Sequence, residues 1–294
     1  SAHVTGLGGH NISVIEDDIT LVTQNPSLLS SVSSKTVGFN FLTYMKGSKA
    51  GSVAYAQAVG ERGTWGVSTQ FVGYGSMNET LPSGEVIGKM HAQDICVSGT
   101  YAYLLSDNWS GGATGKVIYS HYGDFTSCAL AVDLGVNYFL PDQEFSLSAA
   151  ARNIGGQVKA FGDHHERLPF DLEVGFTKEL GHAPISISVT LIDLTRWNKK
   201  YFYSTADKIS GGRVLTNHFN LGVDVKPAKF LYVSAAYNFR RAYEMKAAGS
   251  SHAAGLSFGA GVQLKKFSAG LGYAKYHVGA PTLSFNIAYN FLKD

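Results

Sequence analysis

The stretch "HAAGLSFGAGVQLKKFSAGLGYAKYHVGAPTLSFNIAYNF", residues 252–291, decides the fold. Ala254, Leu256, Phe258, Ala260, Val262 and Leu264 alternate with Gly255, Ser257, Gly259, Gly261 and Gln263. Leu283, Phe285, Ile287, Tyr289 and Phe291 alternate with Ser284, Asn286, Ala288 and Asn290. A period of two is the strand period, because successive side chains point to opposite faces. The second face is the informative one. A soluble β-sandwich turns that face to water and fills it with Lys and Glu. Here it is Gly, Ser, Ala and Asn, a crowded and shielded lining. An apolar band outside and a small polar lining inside is the pattern of a membrane β-barrel.

The same pattern extends outward along the chain. In 124–138, Cys128, Leu130, Val132, Leu134, Val136 and Tyr138 oppose Ser127, Ala129, Ala131, Asp133, Gly135 and Asn137. In 229–240, Leu231, Val233, Ala235, Tyr237 and Phe239 oppose Tyr232, Ser234, Ala236, Asn238 and Arg240. Strand and turn signals predict fourteen strands, at 36–44, 51–60, 63–74, 90–105, 112–120, 124–138, 144–153, 169–178, 184–194, 213–225, 229–240, 252–264, 267–276 and 281–291. The inward face carries single charges: Asp94, Asp133, Arg152, Glu173, Asp224 and Arg240. Lysines gather in turns such as "KPAK" (226–229) and "KK" (265–266).

Composition agrees. The chain has 294 residues, a formal net charge of +2 and 16% charged residues, which leaves no concentrated basic face for nucleic acid. Its 34 glycines and 12% aromatic residues suit tight strands and interfacial rings. A mean hydropathy near zero is what two alternating faces produce. No apolar run approaches the roughly 20 residues of a membrane helix. The chain starts at Ser1 without Met, which suits a processed mature product.

Loop lengths carry an independent signal. An even strand number puts both termini on one side, here the periplasmic side. The turns there fall at 61–62, 106–111, 139–143, 179–183, 226–228 and 265–266, all short. The opposite loops fall at 45–50, 75–89, 121–123, 154–168, 195–212, 241–251 and 277–280, four of them long. Outer-membrane barrels show that asymmetry. Register also places Cys96 on the lumen side and Cys128 on the lipid side, so two free thiols are expected. Tyr44, Trp65, Tyr74, Tyr103, Tyr138 and Tyr276 lie near strand ends and are expected in interfacial girdles.

One segment escapes the alternation: "GLGGHNISVIEDDITLVTQNPSLLS", residues 6–30. A fourteen-stranded wall encloses more space than its own side chains fill. Residues 1–35 are therefore expected to form a hatch inside the lumen, with 36–294 as the barrel of a single domain. Gly8 and Gly9 allow tight backbone turns. Asp17 and Asp18 either cap a short helix through 18–23 or meet Arg152 and Arg240. Asn25-Pro26 starts the turn leading to the first strand.

These residues carry a resemblance. "GLGGHNISVIEDDITLVTQNPSLL" resembles the N-terminal signature "ALGGA…DD…NPA.L" of the FadL-like fourteen-stranded outer-membrane barrels, with Ser27 in place of the usual Ala. Within that superfamily the chain is similar to the PorQ type of the type IX secretion system. The similarity is carried by "LAVDLGVNY" (130–138), "ARNIGGQVKAF" (151–161), "LPFDLEVGFTKELGHAPISISVTLIDLTRW" (168–197), "YNFRR" (237–241) and "LSFGAGVQLKKFSAGLGYAKYHVGAP" (256–281). The resemblance implies a non-enzymatic role in cell-surface attachment. The barrel would hold a PorZ-like surface protein, with PorU and the related barrel PorV nearby, while cargo is joined to lipopolysaccharide. FadL itself moves long-chain fatty acids past its hatch, which implies a rival function: uptake of a hydrophobic small molecule. The rival predicts a continuous apolar pocket behind the hatch and a lateral opening.

Enzymatic chemistry finds little support. No G-x-S-x-G elbow occurs. His218 and Asn220 share a strand face, but that face points into the lumen, away from lipid. "GDHHER" (162–167) offers His164, His165 and Glu166, yet adjacent loop histidines point apart. No catalytic residue, metal or cofactor is expected. The loop "TRWNKKYFYSTADKISGG" (195–212) is more promising. Trp197, Lys199, Lys200, Tyr201, Phe202 and Tyr203 fit a protein interface or lipopolysaccharide contact, and equally an interfacial aromatic belt. Arg241 in "RRAYEMK" (240–246) is a second candidate for gripping partner carboxylates. Partner contact is expected on 75–89, 154–168, 195–212 and 241–251.

Overall fold

A computed structural model describes residues 1–294 except 45–46, 163–164, 204–208 and 293–294. Fourteen antiparallel strands close into one barrel, each paired with its sequence neighbour and the last with the first. They are β1 (Thr36–Thr43), β2 (Lys49–Val59), β3 (Gly63–Thr80), β4 (Val86–Leu104), β5 (Trp109–Tyr122), β6 (Phe125–Leu140), β7 (Phe145–Lys159), β8 (Asp171–Glu179), β9 (Ile185–Leu191), β10 (Phe219–Ala228), β11 (Leu231–Asn238), β12 (Leu256–Gln263), β13 (Phe267–His277) and β14 (Ala280–Asn290). β1 meets β14 in unbroken register, from Thr36 opposite Asn290 to Thr43 opposite Leu283, so no strand edge is left open there.

Alternation places the side chains as expected. In β6, Ala129, Ala131, Asp133, Gly135 and Asn137 are buried while Leu130, Val132, Leu134 and Val136 are exposed. The exposed apolar residues encircle the wall, as lipid contact requires. Cys96 faces inward, Cys128 outward, and both thiols are free. Trp109 packs on Tyr138, and Tyr55 on Trp65, near the short-turn rim. Tyr74 and Tyr276 depart from the expected girdle. Tyr74 donates to Asp94 at 2.7 Å, and the Tyr276 hydroxyl lies against Gly9. Both turn inward because buried acceptors and a close-packed backbone hold them there.

The strand lengths are uneven. β3 to β7 hold 14 to 19 residues each. β8 to β12 hold only 7 to 10. Where the wall is low, helices replace it. Residues 213–218 and 239–240, expected in strands, belong instead to α2 (Gly211–Asn217), its C-cap and α3 (Phe239–Ala247). Side-chain caps start both helices: Ser210 accepts from the Arg213 N–H at 3.2 Å, and Asn238 from the Arg241 N–H at 2.8 Å. Arg240 is therefore not a strand residue lining the lumen. With the chain from 192 to 203, these helices cap one side of the long-loop rim.

Candidate functional site: a filled lumen and its cap

Residues 1–32 lie inside the barrel. They form α1 (Ala2–Gly6) and two 3-10 turns, Ile19–Leu21 and Pro26–Ser31. The expected helix through 18–23 is thus a single 3-10 turn. Asp18 caps it, accepting from the Thr20 N–H at 2.8 Å and the Thr20 hydroxyl at 2.7 Å. Its other oxygen accepts from the Asn286 amide of β14 at 3.0 Å. Asp17 binds the Ser33 N–H at 2.6 Å. Neither acid meets Arg152 or Arg240. Those arginines have nearer carboxylates: Glu173 for Arg152 at 3.3 Å, Asp193 and Glu244 for Arg240 at 2.5 and 3.1 Å.

Asn25 caps the second turn, accepting from Ser27 N–H at 3.0 Å and donating to the Ile12 carbonyl at 3.0 Å. It does more than release the chain: it ties two legs of the segment together. The wall is shaped to receive it. A Cβ on Gly135 would lie 1.9 Å from the Asn25 amide oxygen, and one on Gly112 would lie 2.5 Å from the Pro26 carbonyl carbon. Leu29, Val22, Val32 and Ile19 pack with Ala54, Ala56 and Ala102. The small inward residues of the wall are seats for this segment.

On the opposite side the contacts are charged and polar. His3, 1% exposed, sits between Glu16 and Asp224, 2.9 Å from each, and stacks on Tyr232 at 4.0 Å. Burial alone would push its imidazole down; the Glu16 and Asp224 carboxylates outweigh that and hold it well above the ordinary 6.5. His10 meets Glu173 at 3.2 Å. Asn220 donates to the Leu7 and His10 carbonyls at 2.8 and 2.7 Å. It also requires Gly8: at φ +90 that residue has no room for a Cβ, which would lie 2.0 Å from the Asn220 oxygen.

Arg241 departs most from expectation. It presents nothing to a partner. Its guanidinium is buried and donates to the carbonyls of Ala254 (2.8 Å), Gly255 (2.9 Å) and Gly8 (3.2 Å) and to the Ser257 hydroxyl (2.5 Å). One side chain thus joins α3, the start of β12 and the lumen segment. Burial pulls its pKa below the usual range; nearby Tyr276 opposes this. Phe202 is buried too, with Ile209, Val214 and Tyr243 under the cap. Trp197, Lys199, Lys200, Tyr201 and Tyr203 remain exposed. His218 is buried beneath Trp197 and Phe202, donating its Nδ1–H to the Ile192 carbonyl at 2.7 Å. Of the loop histidines, His164 lies outside the described residues. No group of three or more metal-ligating side chains occurs among the described residues.

Above the apolar leg of the segment lies a cavity of about 290 Å³. Gln24, Ser98, Thr100, Lys116, Asp133 and Arg152 contribute to its lining. Lys116 pairs with Asp133 at 2.7 Å. Asp94 lies on the same inward face of β4, held by the hydroxyls of Tyr74 and Tyr122. Asp133 thus meets a cation, while Asp94 is held by two hydroxyls. Sequence alone missed His3, His10 and Lys116. The usable signal was the buried acids, since each inward carboxylate needs a cation or several donors.

No family model matches the chain, and no curated protein matches it. Solved structures do. The Pseudomonas putida toluene transporter TodX aligns over 97% of this chain and 96% of its own, at 9% identity and a TM-score of 0.61. The monoaromatic hydrocarbon channel CymD covers 99% and 97%, at 11% identity and TM-score 0.60. A Pseudomonas aeruginosa FadL homologue covers 98% of both chains, at 11% identity and TM-score 0.55. The fold is that of the FadL-like outer-membrane barrels.

Proposed function

We propose that this chain is a non-catalytic barrel of the bacterial outer membrane, termini periplasmic, that anchors a surface protein. The observation that carries the reading is the filled and locked lumen. Apolar packing on one side and the His3, Asn220 and Arg241 contacts on the other hold residues 1–32 as a hatch. The cavity above them is lined mainly by hydroxyls, amides and charged groups, with Val22, Cys96 and Ile118 among them, and so lacks the predominantly apolar surface that a hydrophobic solute needs. In keeping with the PorQ-type resemblance, the partner is a PorZ-like surface protein, working with PorU and PorV to attach cargo to lipopolysaccharide.

The docking element we favour is the β3–β4 hairpin. The β2–β3 ladder ends at Lys49 and Gly73, and the β4–β5 ladder ends at Ala92 and Tyr122. Residues 74–80 and 86–90 therefore rise past their neighbours with free outer edges. Met77, Leu81, Val86 and Ile87 are exposed on this ribbon. Free edges and apolar side chains suit strand addition by a partner.

The second reading is a channel for a hydrophobic small molecule. It is favoured by the fold likeness to TodX and CymD, whose described activities are toluene transport and monoaromatic hydrocarbon passage. Affinity isolation of the tagged barrel from detergent-solubilised membranes separates the two. A stoichiometric surface protein that is lost when 76–87 are replaced by a two-residue turn supports the anchor. Isolation of the barrel with hydrophobic solute alone supports the channel.

A further inference from the structure

The low side of the wall sets a second surface at an unusual height. A membrane-crossing strand takes about 9–11 tilted residues. β9 has 7, and β11 and β12 have 8 each. On this side the strands alone are too short to cross, so the cap completes the wall up to the headgroup level of the leaflet at the long-loop rim. The residues turned outward are basic and aromatic. Arg196, Lys199, Lys200 and Arg213 are exposed, as are Trp197 (52%) and Tyr203 (55%).

Among the described residues, the cap's own acids do not neutralise this face. Asp193 and Glu244 are both engaged by Arg240. Among the described residues, none of the four exposed cations has a carboxylate within salt-bridge distance. Two are held in place by rings instead: Arg196 lies 5.3 Å from the centre of Tyr201, and Arg213 lies 4.7 Å from that of Tyr243. Stacking orients a guanidinium while leaving its N–H edge free for a phosphate. Just below, Phe170, Leu221, Val223 and Leu256 continue the lipid-facing band without a break.

We propose that this face of the cap clamps the phosphorylated headgroups of lipid in that leaflet. Arg196, Lys199, Lys200 and Arg213 supply the charge, and Trp197 and Tyr203 sit at the headgroup boundary, where amphipathic rings are favoured. The inference rests on the membrane placement proposed above and not on the partner anchor, which uses the opposite, tall side. The unmet positive charge, continuous with a lipid-facing wall, is what selects phosphorylated lipid over an acidic protein surface.

The test uses the full chain in detergent micelles. Tryptophan fluorescence and native mass spectrometry follow titration with lipopolysaccharide, enzymatically dephosphorylated lipopolysaccharide and inorganic phosphate. The intact glycolipid is expected to bind at least tenfold tighter than the dephosphorylated form and than phosphate. The R196Q/K199Q/K200Q/R213Q variant is expected to lose that preference, and R196K/K199R/K200R/R213K to keep it, with the heat-modifiable gel shift of the folded barrel intact in both. Equal binding of the two glycolipids, equal binding of free phosphate, or an unchanged preference in the Gln variant overturns the clamp. So does a Gln variant that keeps the lipid preference and loses a co-isolated surface protein, which would assign the face to a protein. Failure here leaves the hairpin experiment unaffected, so the two readings fail separately.

Discussion

The two sides of this barrel hold the same lumen segment by different means. The tall side, β3 to β7 with part of β2, holds it by shape. Leu29 and Val22 meet alanines, and the Asn25-Pro26 corner enters the space left by Gly112 and Gly135. The low side, β8 to β12, holds it by charge and hydrogen bonds: His3 to Asp224, His10 to Glu173, Asn220 to the carbonyls of Leu7 and His10, and Arg241 to Gly8. Shape complementarity is insensitive to pH and salt, whereas a buried ion pair depends on protonation. The difference teaches that one edge of the lumen segment is fixed and the other is conditional.

The comparison breaks most sharply at His3. H3A leaves Glu16 and Asp224 buried without their shared cation, and is expected to cost about 3–5 kcal/mol of local stability. Hydrogen exchange should rise in residues 1–10 while 22–32 stay protected. Equal loss on both sides would show that the segment moves as one body. The wild type offers the same test by pH. The raised His3 pKa means that this contribution is full below 6.5 and fades as pH climbs through the raised value. Protection factors in 1–10, corrected for base-catalysed intrinsic exchange, should therefore fall toward alkaline pH, and H3A should abolish that dependence.

R241M is expected to rank next. It strips charged donors from four buried acceptors, for about 2–3 kcal/mol. Exchange should increase in α3, in residues 7–10 and at the start of β12, and limited proteolysis should cut near 248–255. Protection of that region in R241M would mean that the guanidinium is not its staple.

On the tall side, G135A forces a methyl into the Asn25 amide and is expected to cost about 1–3 kcal/mol. Here exchange should rise in 22–32 and leave 1–10 unchanged, the mirror image of H3A. The smallest effect is expected from shortening the β3–β4 hairpin across 76–87. No lumen contact is lost, so stability of the barrel by urea titration should stay within about 0.5 kcal/mol.

Much of this architecture was legible in the chain. All fourteen strands answer to period-two runs, because the face a side chain takes in a strand is set by its position alone. The same parity placed Cys96 inside and Cys128 outside. The errors fall on both sides, as helix read for strand on the low side and strand read for loop on the tall side. "GGRVLTN" and "FRRAYEMKA" follow an apparent strand pattern too briefly to break it, yet Ser210 and Asn238 were readable as N-caps. The projecting part of β3 and β4 was read as a loop, since a two-stranded ribbon beyond the rim no longer alternates between lipid and lumen.

What the sequence by itself determined is the barrel: strand count, facing, short and long connections, and a front segment too irregular to be wall. These are local properties, repeated along the chain. Only the tertiary structure decided which polar residues meet. Arg240 and Arg241 are neighbours, but the helical turn that starts at Asn238 sends one to the rim acids and the other to the buried carbonyl of Gly8. His3 lies 221 residues from Asp224, and no local pattern carries that pairing. Closing the barrel brings them together, and the cost of an unpaired buried charge then leaves little else for either to do.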